Sequence, residues 1–219
     1  GEIIPTTISD ANATKTTIIA AFEKIKAQAK PEDMFVFYYA GHGVMNESET
    51  PGKPGEFFLI PTDVTQLYGN EQILKERGIS ATEIQEYSRN IQAQKQLFVL
   101  DACQSGAATQ MLAMRGAAEE RAIAQLARST GTFWLTASGS EQFATEFKEL
   151  GHGVFTYAII EGLKGAADQG NKDGKITVQE LSAWLNDRVP ELTQIHKGQA
   201  QYPATYGFGQ DFPVGTVKK

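Results

Sequence analysis

The chain has one cysteine, three histidines, no long apolar run and no excess of positive charge. A lone thiol cannot close an internal disulfide, which excludes a small secreted disulfide scaffold. No apolar stretch approaches the roughly 20 residues that a membrane-spanning helix needs. No secretory signal pattern stands at the start, so no membrane partner is expected. Lys and Arg number 20 against 26 Asp and Glu, for a formal net charge of −6. With no basic stripe, a nucleic-acid partner is not expected either. A cytoplasmic location is the expectation. The sequence opens on Gly1 rather than methionine, which reads as a processed or excised piece. Its 219 residues are enough for one domain with a full core, and no internal repeat or interdomain linker interrupts them.

What the sequence does contain is two short apolar runs that end in chemistry. Leu97-Phe98-Val99-Leu100 runs without a break into Asp101-Ala102-Cys103-Gln104-Ser105-Gly106. Phe35-Val36-Phe37-Tyr38-Tyr39-Ala40 runs into Gly41-His42-Gly43. Continuous apolar runs bounded by turn residues read as strands buried on both faces. In parallel α/β sheets, sites form outside the carboxyl ends of the strands. Two neighbouring parallel strands of this kind would set His42 beside Cys103, a base beside a thiol nucleophile.

These motifs resemble those of caspase-like cysteine peptidases. The caspase signature is Q-A-C-[RQG]-G with a histidine about 50 residues upstream; here His42 precedes Cys103 by 61 positions. The D-x-C-x-S-G form and Tyr39-Ala40-Gly41-His42-Gly43 are closer to metacaspases and bacterial caspase-like peptidases than to animal caspases. The likeness extends to Gly151-His152-Gly153-Val154-Phe155-Thr156-Tyr157, to Gln201-Tyr202-Pro203 and to Asp211-Phe212-Pro213. It implies an α/β fold, a three-layer caspase-fold sandwich with a mostly parallel central sheet flanked by helices. One single domain over residues 1–219 is expected, large-subunit-like to about 115 and small-subunit-like from about 116. The family's first strand-helix unit has no counterpart here. Its absence would leave backbone edges unpaired, so further domains or another chain are expected to supply that strand.

Along the chain, a weak strand is expected over residues 3–8. A helix over about 12–29 places Ile18, Phe22, Ile25 and Ala29 on one face. A strand over 34–40 leads to a polar, glycine-rich loop from Asn46 to Gly55, a strand over 56–60 and an irregular stretch over 64–78. Ser80 and Glu83 form a capping box for a helix reaching about Gln92. Residues 107–116 read as loop, 117–128 as helix and 131–138 as a third buried strand. A helix over Gly153–Leu163 follows, then one from about Thr177 to Arg188 that stops before Pro190. The tail beyond is expected to pack back near the site. Arg115, Arg121 and Arg128 fall where caspases are often cut, but arginines on an alanine-rich helix are usually just solvated.

The expected chemistry is peptide hydrolysis by a Cys103–His42 dyad through a thioester acyl-enzyme. His42 takes the thiol proton and later protonates the leaving amine. The resemblance puts the oxyanion hole at the backbone N–H groups of Gly43 and Cys103 and the substrate pocket at Asp101 and Ser138. Asp101 lies two residues before Cys103 and so on the same side of its strand. A carboxylate there favours a cationic guest and implies cleavage after Arg or Lys. The plainer reading of Asp101 is a cap on a neighbouring turn or an acceptor for backbone N–H groups. His152 is the competing base, at a helix-entry turn, and His196 carries no signal. No cofactor is required. Asn171, Asp173 and Glu180 resemble half of a calcium loop, but Gln169 holds the first ligand position and Asp168 is one step out of register. A turn followed by a Thr177/Glu180 capping box is the favoured reading, and calcium stays open. Protein or peptide substrates are the expected partners. The rivals are a catalytically silent caspase-like binding or scaffold domain and a thiol transpeptidase or ligase.

Overall fold

A computed structural model describes residues 2–46, 55–65, 71–103, 109–137, 146–147, 152–198 and 200–217; of residues 71, 102–103, 109–117, 146–147, 152 and 197 it describes the backbone alone. The elements are α1 (Lys15–Gln28), β1 (Met34–Met45), β2 (Phe57–Ile60), α2 (Glu71–Arg77), β3 (Ile79–Ser80), α3 (Ala81–Asn90), β4 (Lys95–Cys103) and α4 (Thr109–Thr130). They continue with β5 (Phe133–Thr136), β6 (Glu146–Phe147), β7 (His152–Gly153), α5 (Val154–Glu161), β8 (Lys175–Thr177), α6 (Val178–Lys197), β9 (Ala204–Gly207) and β10 (Pro213–Thr216). A short π-helical turn, Gly162–Ala166, extends α5. The central sheet has the order β3-β2-β1-β4-β5-β9. Its middle pairings, β1 with β4 and β4 with β5, are parallel; the outer ones are antiparallel.

Alternation along β4 makes the three layers. Leu97 and Val99 join Phe133 and Leu135 under α5 and α6, against Val154, Phe155, Ala158, Leu181 and Leu185. Phe98 and Leu100 join Phe35 and Trp134 on the other face, against Phe22 of α1, Ile84 of α3 and Ile123 and Leu126 of α4. Phe98 stacks on Trp134 at 4.4 Å between centroids and meets Phe35 edge-on at 5.8 Å. The indole N–H of Trp134 donates to Thr132 Oγ1 at 2.8 Å, so the buried ring keeps a partner. Among the described residues no helix is long and apolar enough to cross a membrane.

Local signals set several boundaries as expected. Thr14 caps α1, accepting from Thr17 N, and Ile18 and Phe22 are buried. Ser80 and Glu83 make the reciprocal capping box of α3. Elsewhere the elements depart from the sequence reading. Residues 3–8 form no strand: Ile3 and Ile4 are 88% and 77% exposed, and the segment pairs with no described strand. The stretch over 64–78 holds α2, whose carbonyl end is met by Lys15 Nζ, 2.8 Å from Gly78 O. That cation comes from 63 residues away, so no local signal announces it. Residues 109–116 continue α4 rather than forming a loop, as their alanine, leucine and methionine content permits.

The last helix passes through Pro190 instead of stopping before it. The missing N–H costs one backbone bond. Against that, Val189, Leu192 and Thr193 lie beyond Leu185 on the same buried stripe, and Thr193 Oγ1 donates to Val189 O at 2.9 Å. The helix ends instead at Gly198, whose φ of 68° gives a left-handed cap.

β1 is also longer than expected. It runs on through His42 because β2 pairs with residues 42–45. β4 pairs with residues 34–42 along the opposite edge. Among the described residues, no strand pairs with the β2-side edge of 34–41. Met34, Val36 and Tyr38 face outward from this segment at 41%, 46% and 48% exposure. Amides of a strand alternate in direction, so half of them along 34–41 point at β4 and half at the open edge. Hydrogen exchange followed by NMR should therefore alternate between slow and fast from residue to residue over this segment. Uniform protection would show the edge to be covered.

Candidate active site

The parallel register of β1 and β4 pairs Ala40 with Asp101, Gly41 with Ala102, and His42 with Cys103. The two chemistry-bearing positions are thus direct neighbours across the ladder. The imidazole-bearing residue is exposed. The side chain of Cys103 lies outside the described residues. A thiol and an imidazole on neighbouring strands can form a nucleophile–base couple.

The glycines around His42 serve packing on the other face of β1. A β-carbon on Gly41 would sit 2.6 Å from Tyr39 Oη and 2.7 Å from its Cζ. One on Gly43 would sit 2.7 Å from Cε2 of Phe57. Both are closer than van der Waals contact allows, so each glycine makes room for an aromatic ring. The Tyr39 hydroxyl lies where β1 and β2 meet. It is 3.0 Å from His42 O and 2.9 Å from Ile60 O, and it accepts from Ile60 N at 3.1 Å. It thereby bridges the His42–Ile60 pair. Burial pushes its pKa up to about 12, against smaller opposing effects of its bonds to Ile60 and His42. Glu119 of α4 also reaches this strand end, with Oε1 3.5 Å from the β-carbon position of Gly43.

Asp101 is half-buried and lies against the first turn of α5. Thr156 Oγ1 donates to Asp101 Oδ2. The Thr156 hydroxyl in turn shares a 2.7 Å hydrogen bond with Tyr38. Gly153, the residue before α5, leaves the space: its β-carbon would stand 3.0 Å from Asp101 Oδ2. Burial chiefly raises the Tyr38 pKa, and the nearby Asp101 charge raises it further. The sequence reading named Asp101 but missed Thr156 and Tyr38. Thr156 stood in the Gly-His-Gly-Val-Phe-Thr motif without a role; Tyr38 looked like one more apolar strand residue.

Ser138 lies outside the described residues, as does the side chain of His152, whose backbone forms β7 against β6. His196 is exposed near the end of α6. Around the calcium-like loop, Asn171 Oδ1 accepts from Asp173 N at 3.2 Å, and Asp173 Oδ1 accepts from Lys175 N at 2.8 Å. Glu180 Oε2 accepts from Thr177 N at 2.9 Å, and Thr177 Oγ1 accepts from Glu180 N. These are the contacts of a turn followed by a capping box. Asp168 Oδ2 accepts from Gly174 N at 2.9 Å, while its buried Oδ1 has no partner. Among the described residues no three His, Cys, Asp or Glu side chains come together to hold a metal ion.

The family model for the caspase domain matches residues 6–210. The chain belongs to the caspase-domain family. A probable protease of a Desulfuromonadales bacterium is 28% identical over 166 residues, which cover 71% of this chain and 18% of that relative. The matched stretch is therefore a small part of a much longer protein. The crystal structure of a Geobacter sulfurreducens protein superposes with a TM-score of 0.62 over 98% of this chain and 80% of its own, at 16% identity. That likeness shows a shared fold. The caspase-domain sandwich expected from the sequence is thus present, with a protein named a probable protease among its relatives.

The packing around His42 generates a stability prediction. Tyr39→Phe removes the hydroxyl that bridges His42 and Ile60 and should cost about 1–3 kcal/mol. Gly43→Ala forces a methyl against Phe57 and should cost about 1–3 kcal/mol. Urea denaturation of both variants checks the two values. Gly43→Ala combined with Phe57→Leu should recover part of the loss.

Proposed function

We propose that this caspase-family domain is a cysteine endopeptidase acting through Cys103 and His42. The observation that carries the reading is the parallel register that pairs these two residues at neighbouring strand positions. His42 accepts the thiol proton, and the thiolate sulfur attacks the scissile carbonyl carbon. A C–S bond forms, and backbone N–H groups of Gly43 and Cys103 receive the oxyanion. The tetrahedral intermediate collapses with cleavage of the C–N bond, and the imidazolium gives its proton to the departing amine. Water, deprotonated by His42, then attacks the thioester; the C–S bond breaks, the acid leaves and the thiol is restored. No cofactor enters this cycle. The thiol it needs is kept reduced in the cytoplasm.

Asp101 is read as the floor of the pocket for the residue before the scissile bond, favouring Arg and, less, Lys. Its half-buried setting supports this reading, because a partly desolvated carboxylate favours a cationic guest and disfavours an acidic one. A guanidinium can also pair bidentately. The open edge of β1 at 34–41 is read as the place where an extended segment from outside residues 1–219 adds a strand, with Met34, Val36 and Tyr38 under its cover. The much greater length of the Desulfuromonadales relative is in keeping with additional chain around such a domain.

Two measurements test the enzyme reading. Cys103→Ala and His42→Ala should each abolish peptidase activity, a loss of at least about a thousandfold, with an unchanged circular dichroism spectrum. Near-normal kcat/KM in folded His42→Ala would reject the dyad. Matched reporter peptides ending in Arg, Lys and Asp should be cleaved in the order Arg, Lys, with essentially no turnover of Asp. Asp101→Ala should lose Arg turnover selectively while Cys103 still reacts with a small alkylating agent. Equal turnover of the Asp peptide by the unaltered protein would reject the pocket.

A further inference from the structure

Asp101 receives a hydrogen bond from another element of the fold. Its Oδ2 takes the hydroxyl proton of Thr156, and Thr156 Oγ1 lies 2.7 Å from the Tyr38 hydroxyl. The direction of this relay follows from valence. An ionised carboxylate only accepts, so the one proton of Thr156 is committed to Asp101. The Thr156 oxygen must then accept from Tyr38. Each donor polarises the next, and the chain ends on the carboxylate.

Three elements converge here. Tyr38 comes from β1, two positions before the residue paired with Asp101. Thr156 sits in the first turn of α5, and Gly153 gives that turn room to reach the carboxylate. Aspartate has two side-chain torsions, and the plane of its carboxylate follows from the donors that meet it. A donor fixed on a helix sets that plane.

We propose that Thr156 is a positioning residue for cation recognition by Asp101, with Tyr38 holding the Thr156 hydroxyl in its donating direction. This rests on the reading of Asp101 as the pocket for the residue before the scissile bond. The relay acts on binding of the substrate side chain and leaves the thiol chemistry alone. It deepens discrimination between Arg and Lys, because a flat guanidinium needs a carboxylate plane of fixed orientation, whereas an ammonium does not.

Thr156→Val keeps the shape and removes the hydroxyl. It should raise KM for an Arg-ending reporter peptide about tenfold, the loss expected for one charge-assisted hydrogen bond, with kcat within about twofold. Its Arg-over-Lys preference should shrink. Thr156→Ser should restore both values. Tyr38→Phe, a change on an exposed residue, should move KM in the same direction by a smaller factor, about two- to threefold, as expected for a neutral hydrogen bond. The same series read by NMR titration with agmatine, the decarboxylated arginine, should show parallel losses of affinity without need of turnover.

Unchanged KM and agmatine affinity in Thr156→Val overturn the proposal. If Thr156→Val fails to fold by circular dichroism, unchanged values in Tyr38→Phe overturn it. Asp101→Asn separates the two levels. Loss of agmatine binding in Asp101→Asn without loss in Thr156→Val rejects the relay alone. Undiminished binding in Asp101→Asn, or none in the unaltered protein, rejects the pocket reading and the relay with it.

Discussion

The rest of the molecule depends on the ladder between β1 and β4. Nine consecutive residue pairs, from Met34 with Lys95 to His42 with Cys103, run in parallel without a shift. A one-residue slip would turn Phe98 and Leu100 from the aromatic layer toward α5 and send Leu97 and Val99 the other way. Phe98 is fully buried between Trp134 and Phe35, so such a slip has no place to put its rings. The register is thus set deep in the core, by large side chains far from the strand ends. The pairing of His42 with Cys103 is inherited from it.

The two faces of β1 divide the labour. On one face, Tyr39 and Phe57 cover Gly41 and Gly43 and tie the strand end to β2. On the other lies the Tyr38 hydroxyl, meeting Thr156 and through it Asp101. The Gly-His-Gly sequence therefore answers two needs at once. The glycines clear space for rings behind the strand, and the histidine between them faces the other side.

How much of this was legible depended on whether a signal was local. The buried strands, the capping box at Ser80 and Glu83, the apolar face of α1 and the neighbourhood of His42 and Cys103 all follow from patterns within a few residues. The failures share a cause. α2 is met at its end by Lys15, contributed from another helix. α6 survives Pro190 because the buried stripe continues past it. Residues 3–8 have β-forming composition yet pair with no described strand. In each case a distant contact, or the lack of one, outweighed local preference. Within the site, Asp101 could be named from strand alternation. Its partner Thr156 could not, since nothing in sequence shows which turn of α5 will face β4.

The length of β1 that no described strand covers also governs how the domain behaves in company. Hydrogen-bonding edges that lie open with apolar side chains beside them are templates for edge-to-edge growth between molecules. Natural sheets blunt such edges with lysine, proline or a bulge; the segment Met34-Phe35-Val36-Phe37-Tyr38-Tyr39-Ala40-Gly41 carries no lysine and no proline. What opposes self-association is the overall charge of −6, which acts at long range and is screened within about 10 Å at 0.1 M salt. Solubility of this domain on its own is therefore a contest between a short-range backbone template and a salt-sensitive repulsion, and raising ionic strength tips it toward assembly.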